Sequence, residues 1–137
     1  MFATRNISVI AWHSFTSPFS PISKALEKAI GNGYTLKYPT NGNYRSAVIQ
    51  KDINGDGILE AFAFYSKTEG DTTMMYINLL CNKSGEWKSV AEQKIVAGGV
   101  DRVDFCDLDG DGTEEILSGW EIYGTSELKL AVYSLGE

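Results

Sequence analysis

With 137 residues, 43% of them hydrophobic and 22% charged, the chain is long enough to bury one core and too apolar to be disordered. Its formal net charge of -6, with no cluster of Lys or Arg, excludes a nucleic-acid partner, because a phosphate backbone is held by grouped cations that displace counterions. No segment approaches the roughly twenty consecutive apolar residues that cross a bilayer, so membrane insertion is not expected.

The chain begins with one arginine and the short apolar run Ile7-Ser8-Val9-Ile10-Ala11-Trp12, without the longer apolar region and cleavage site of an export signal. It reads as a strand over Asn6 to Phe15, with His13, the sole histidine, an ordinary strand residue. A helix follows: Ser20 is a fitting N-cap, Pro21 suits the first helical position, and Gly31 ends it. Ile22, Ala25, Leu26, Ala29 and Ile30 form the expected buried stripe, and Lys24, Glu27 and Lys28 the face toward water. The helix is too short and too weakly basic for a membrane surface, so it is expected to pack on the core.

Turns at Asn32-Gly33 and Asn41-Gly42 lead into β-branched and aromatic runs with short connections. Strands are expected over Ser46 to Ile53, Glu60 to Lys67, Met74 to Cys81 and Trp87 to Val96, forming one four-stranded meander. After Ala97-Gly98-Gly99, the runs Val100 to Leu108, Glu115 to Ile122 and Leu128 to Leu135 repeat the first three strands. Within Glu60 to Lys67, Ala61, Ala63 and Tyr65 point one way and Phe62 and Phe64 the other, so both faces of this sheet must be covered.

Two copies of one acidic loop join the first and second strands of each set. They are Asp52-Ile53-Asn54-Gly55-Asp56-Gly57-Ile58-Leu59-Glu60 and Asp107-Leu108-Asp109-Gly110-Asp111-Gly112-Thr113-Glu114-Glu115. Each places side-chain oxygens at positions one, three and five, a backbone carbonyl at seven and a carboxylate at nine. Such hard oxygens can surround one Ca²⁺ at about 2.3–2.6 Å. An EF-hand would add a bidentate Glu at position twelve between two helices, but that position is Ala63 in one copy and Ser118 in the other, and the flanks are strand-like. The alternative is a pair of tight turns in which Asp and Asn side chains cap backbone N–H groups.

The doubled loop at this spacing resembles the FG-GAP and VCBS-type repeats of calcium-binding β-propellers, including those of integrin α-chains, with their Asp-x-Asp-x-Asp-Gly-x-x-Asp signature. The resemblance covers about two repeats, from Tyr44 to Leu135. It implies metal ligands at Asp52, Asn54, Asp56, Ile58 through its carbonyl, and Glu60, then at Asp107, Asp109, Asp111, Thr113 through its carbonyl, and Glu115. This chain departs from the pattern with Glu at both ninth positions and with Asn54 in place of a carboxylate. The ligand set of the second loop therefore carries four formal negatives against three in the first, and is expected to bind calcium more tightly. Two bound ions would bring the formal charge to about -2 and relieve repulsion between ligands.

The resemblance implies an all-β fold with one N-terminal helix, built as two consecutive antiparallel propeller-blade-like sheets, an incomplete β-propeller. Residues 1–43 would pack on the sheets, 44–99 would form the first blade-like repeat, and 100–137 the second, which lacks its fourth strand. Closed propellers have about four to eight blades. The shortfall leaves open a piece of a longer propeller, cover from the N-terminal strand and helix, or assembly of several chains, including a homodimer. Asn6 to Phe15 could supply the missing fourth strand of the second sheet.

Cys81 and Cys106 fall on different sheets, which lie about 10 Å apart, beyond the roughly 7 Å that a disulfide spans. Both are expected to be free and largely buried. The lone histidine and the absence of a Gly-x-Ser-x-Gly elbow argue against a hydrolase triad, and the clustered carboxylates are accounted for by metal geometry. The aromatics are expected to fill the core. The function these readings imply is a non-catalytic, calcium-stabilised binding or adhesion module of an extracellular or cell-envelope protein, with a protein or glycan partner. The alternatives are an accessory or catalytic domain of a carbohydrate-active enzyme, and a purely architectural part of a larger propeller.

Overall fold

The computed structural model describes residues 20–122 and 124–134. The expected strand at Asn6 to Phe15, with Trp12 and His13, lies outside them. Helix α1 spans Pro21–Ile30. Strands follow as β1 (Thr35–Leu36), β2 (Val48–Lys51), β3 (Glu60–Glu69), β4 (Thr72–Lys83), β5 (Glu86–Ile95), β6 (Gly99–Cys106), β7 (Glu115–Glu121) and β8 (Leu128–Tyr133). All pairings are antiparallel. The first sheet runs β1-β3-β4-β5, with β2 also on β3, and the second runs β6-β7-β8. The two sheets are not closed into a barrel; they are blade-like and stack on each other.

Among the described residues the expected elements are present, with corrections in the first sheet and in the helix. The sheet gains β1, because Thr35 and Leu36 pair with Ser66 and Tyr65 beyond the point where β2 leaves β3. Strand β2 is shorter than expected, since Asp52 and Ile53 are drawn into the acidic loop. Strand β4 runs on past Cys81 to Lys83 because its register with β5 persists to Glu86. In α1 the buried stripe is narrower: Ile22 and Leu26 are buried, Ala25 and Ile30 are half-buried, and Ala29 is exposed. Glu27 is half-buried rather than solvated, because its carboxylate accepts a hydrogen bond from the Tyr34 hydroxyl at 3.2 Å.

The alternation in β3 organises the packing. Phe62 and Phe64 face the second sheet and join Ile49, Ile53, Ile77, Ile95, Val100, Val103, Ile116 and Trp120 in the core between the sheets. Phe62 meets Phe105 with ring centroids 5.3 Å apart, and Phe64 meets Trp120 at 6.1 Å. Ala61, Ala63 and Tyr65 face the other way and are covered by Ile22 and Leu26 of α1. The helix thus does for the outer face of the first sheet what a neighbouring blade does in a propeller. Its start is fixed by the Ser20 hydroxyl, which accepts the Ser23 N–H at 3.1 Å.

Beneath the helix a polar chain runs from the buried Asn78 and Tyr65 out to half-buried Ser89 and exposed Glu92. Ser89 donates to the Asn78 side-chain oxygen at 2.8 Å, Asn78 donates to the Tyr65 hydroxyl at 3.3 Å, and Tyr65 donates to Glu92. Burial pushes the Tyr65 hydroxyl well above its ordinary range, so it stays a donor. The second sheet has no comparable cover among the described residues. Leu128, Leu130 and Val132 of β8 are exposed along its outer face. Both cysteines are free, as expected, but Cys106 is exposed, because the strand parity that turns Phe105 inward turns Cys106 outward.

Candidate metal-binding loops

Each acidic loop is wound around its first aspartate. The Asp52 Oδ1 accepts the N–H groups of Gly55 at 2.9 Å and Asp56 at 3.2 Å, and its Oδ2 accepts that of Gly57 at 2.8 Å. Asp107 does the same for Gly110 at 2.8 Å, Asp111 at 3.1 Å and Gly112 at 2.9 Å. So tight a wrap needs positive φ, which the glycines supply: 84° at Gly57 and 91° at Gly112. The third residue, Asn54 or Asp109, accepts the N–H of the fifth at 3.2 Å in both loops. The fifth, Asp56 or Asp111, accepts the N–H of Ile58 at 2.8 Å or Thr113 at 2.9 Å.

The ninth residue closes each loop. Glu60 and Glu115 are both buried, each 4% exposed. Their Oε1 atoms accept the N–H of the second loop residue, Ile53 at 3.0 Å and Leu108 at 2.7 Å. The longer side chain where Asp is commoner thus reaches back across the loop while its carboxylate stays with the other acids. Carboxylate oxygens of Asp52, Asp56 and Glu60 all lie within 4.8 Å of one another, as do those of Asp107, Asp109, Asp111 and Glu115. Ligands on opposite sides of an ion bound at 2.3–2.6 Å lie about 5 Å apart, so both sets have the spacing of a Ca²⁺ shell. Asn54 stands at the third position of the first loop, and Ile58 and Thr113 at the seventh positions of the two loops.

The electrostatics differ between the loops in the direction the Asn54 exchange dictates. The Gly57 N–H, with those of Gly55 and Asp56, holds Asp52 below the usual carboxylate range, and Gly112 with its neighbours does this for Asp107. The Asp111 N–H draws Asp109 down, but desolvation and the negative charge of Asp111 and Glu115 outweigh it and leave Asp109 raised. Asn54 avoids that repulsion. Glu60 is raised by burial first; the Ile53 N–H works against this, and the charges of Asp56 and Asp52 add to it. Such crowding of like charges on hard oxygens is what a divalent cation relieves.

The two loops touch, through contacts that no residue pattern marks. Ile53 is 1% exposed, packed in the core between the sheets, and its carbonyl accepts the Glu114 N–H from the second loop at 2.8 Å. Lys51 Nζ lies 3.1 Å from Glu114 Oε1 and 5.6 Å from the centre of the Phe105 ring. The only hint was an apolar residue at position two of both loops. Leu108, at that position in the second loop, is 56% exposed because no described element packs there.

Residues 52–118, from the first aspartate of one loop through the strand after the other, match the FG-GAP-like repeat. Over this stretch the chain is similar to FG-GAP-type repeats. No curated protein and no solved structure shows significant similarity to the chain. FG-GAP repeats are generally non-catalytic modules of propeller-type binding proteins, are typically extracellular, and often bind Ca²⁺. No helix among the described residues is long and apolar enough to cross a membrane.

Proposed function

We propose that this chain is a non-catalytic binding module of the extracellular space or cell envelope, in which Ca²⁺ at each acidic loop fixes the blade-like sheets and presents the adjoining loops to a protein partner. The observation that carries the reading is the matched pair of oxygen sets, each within 4.8 Å and each wound by the same hydrogen bonds. Asp52, Asn54, Asp56, Glu60 and the Ile58 carbonyl would hold one ion. Asp107, Asp109, Asp111, Glu115 and the Thr113 carbonyl would hold the other. The ion's contribution is charge and closure: it offsets repulsion among carboxylates that the loop brings close and holds the ninth residue in place, while the chain's own glycines and N–H groups set the path of the wrap.

A protein partner is favoured over a glycan. Sugar platforms need exposed aromatic faces, and Tyr38 is the single aromatic among the exposed large apolar side chains of the described residues. The test is an NMR titration that follows the amides of Gly57 and Gly112, which donate to the first aspartate of each loop. Calcium is expected to shift both, and magnesium to shift them less, since it demands a tighter octahedral shell. Unchanged glycine amides at millimolar calcium would refute the proposal and leave the loops as turns.

A further inference from the structure

We propose that the two acidic loops bind calcium as a positively coupled pair, linked by the backbone N–H and C=O of Ile53 and the Lys51–Glu114 ion pair; this rests on the calcium reading above. The link is a continuous run of short contacts. The Glu60 carboxylate accepts the Ile53 N–H at 3.0 Å, and the carbonyl of Ile53 accepts the Glu114 N–H at 2.8 Å. Glu114 is bonded directly to Glu115, whose carboxylate accepts the Leu108 N–H at 2.7 Å. The closing acid of one site is thus joined to the closing acid of the other through the backbones of Ile53 and Glu114.

Lys51 supplies the second strand of the link. It immediately precedes Asp52, and its ammonium group sits 3.1 Å from Glu114, beside the residue that closes the other loop. A cation fixed between two acidic loops restrains both. Ile53 cannot yield independently, because its side chain is held in the core between the sheets.

The sign follows from what each binding event must order. An ion that draws in Glu60 also fixes Ile53, which fixes Glu114 and hence the approach of Glu115. The second ion then meets a loop whose closing residue is already placed, and the ordering entropy is lost once rather than twice. By linkage the effect is reciprocal. Lys51 and Glu114 are positioning residues and would touch no metal.

The experiment is calcium calorimetry on the whole chain, comparing wild type with Asp111→Asn, Asp56→Asn, Lys51→Ala and Lys51→Arg. Asp111→Asn is expected to disable the second loop and weaken binding at the first by about fivefold or more, and Asp56→Asn to weaken the second by the same factor. Lys51→Ala should reduce the coupling, and Lys51→Arg should restore it. Two binding events whose affinities ignore each other's loop would overturn the coupling while leaving the calcium sites intact. Absence of any binding would overturn both readings. Lys51→Ala that weakens both sites equally, without changing their mutual dependence, would reduce the ion pair to a structural contact.

Discussion

Replacement of Glu60 by Gln separates the two roles of the ninth loop residue. Glu60 is 4% exposed, and its Oε1 accepts the Ile53 N–H at 3.0 Å. Gln keeps that acceptor and removes a charge that burial and two neighbouring aspartates disfavour. Its new amide donor falls among carboxylate oxygens that lie within 4.8 Å. In metal-free protein the melting temperature should therefore hold or rise. In calcium the outcome reverses, because the first loop retains only Asp52 and Asp56 as charged ligands. An intact site at free calcium one hundred times its Kd contributes about 2.7 kcal/mol. For a chain of this length, at about 3–4 °C per kcal/mol, that is about 8–11 °C of calcium-induced shift per site. Melts of wild type and Glu60→Gln, each in chelator and in calcium, read the difference directly. A variant that melts lower than wild type in chelator yet keeps the whole calcium shift would refute the reasoning and make Glu60 only an anchor for Ile53.

The pH dependence of the metal-free protein tests the same electrostatics. Glu60 is held above its ordinary 4.5, so the native chain takes up that proton more readily than the unfolded one, and stability should rise as pH falls from neutral through the raised value. Asp52 and Asp107 are held below their ordinary 3.8, so their stabilisation is in place above 3.8 and is lost as pH falls through their depressed values. Melts of metal-stripped protein should thus show a mildly acidic optimum, and a steady decline from pH 7 to 5 would contradict it. Leu26→Ala, at a helix residue 1% exposed over the first sheet, should cost about 2–4 kcal/mol in denaturant unfolding; a cost under 1 kcal/mol would mean the helix does not cover that face. Leu130 is 74% exposed, so Leu130→Lys should leave stability within about 0.5 kcal/mol while lowering any self-association seen by sedimentation.

The sequence was most legible where local chemistry sets the structure. Ser20-Pro21 and Gly31 marked the helix because capping is local, and the opposed parity of Phe62 and Ala61 in β3 foretold a sheet covered on both faces. The loops' turns were legible, since Asp and Asn side chains that cap backbone N–H groups and glycines that take positive φ set the wrap around Asp52 and Asp107. Contacts between distant segments were hidden. Strand β1 pairs by only two residues, too few for a hydrophobic pattern to register. The bond between Ile53 and Glu114 joins backbone atoms, which carry no side-chain signature. The exposure of Cys106 and Ala29 depends on what packs opposite them, which residue type does not encode.

The central claim, that both acidic loops are calcium sites, is tested most directly by counting bound ions, through equilibrium dialysis of chelator-treated chain against radioactive calcium. Two ions per chain, falling to one in Asp111→Ala, is the predicted result. A count of zero at millimolar free calcium, with the fold intact by circular dichroism, would contradict it.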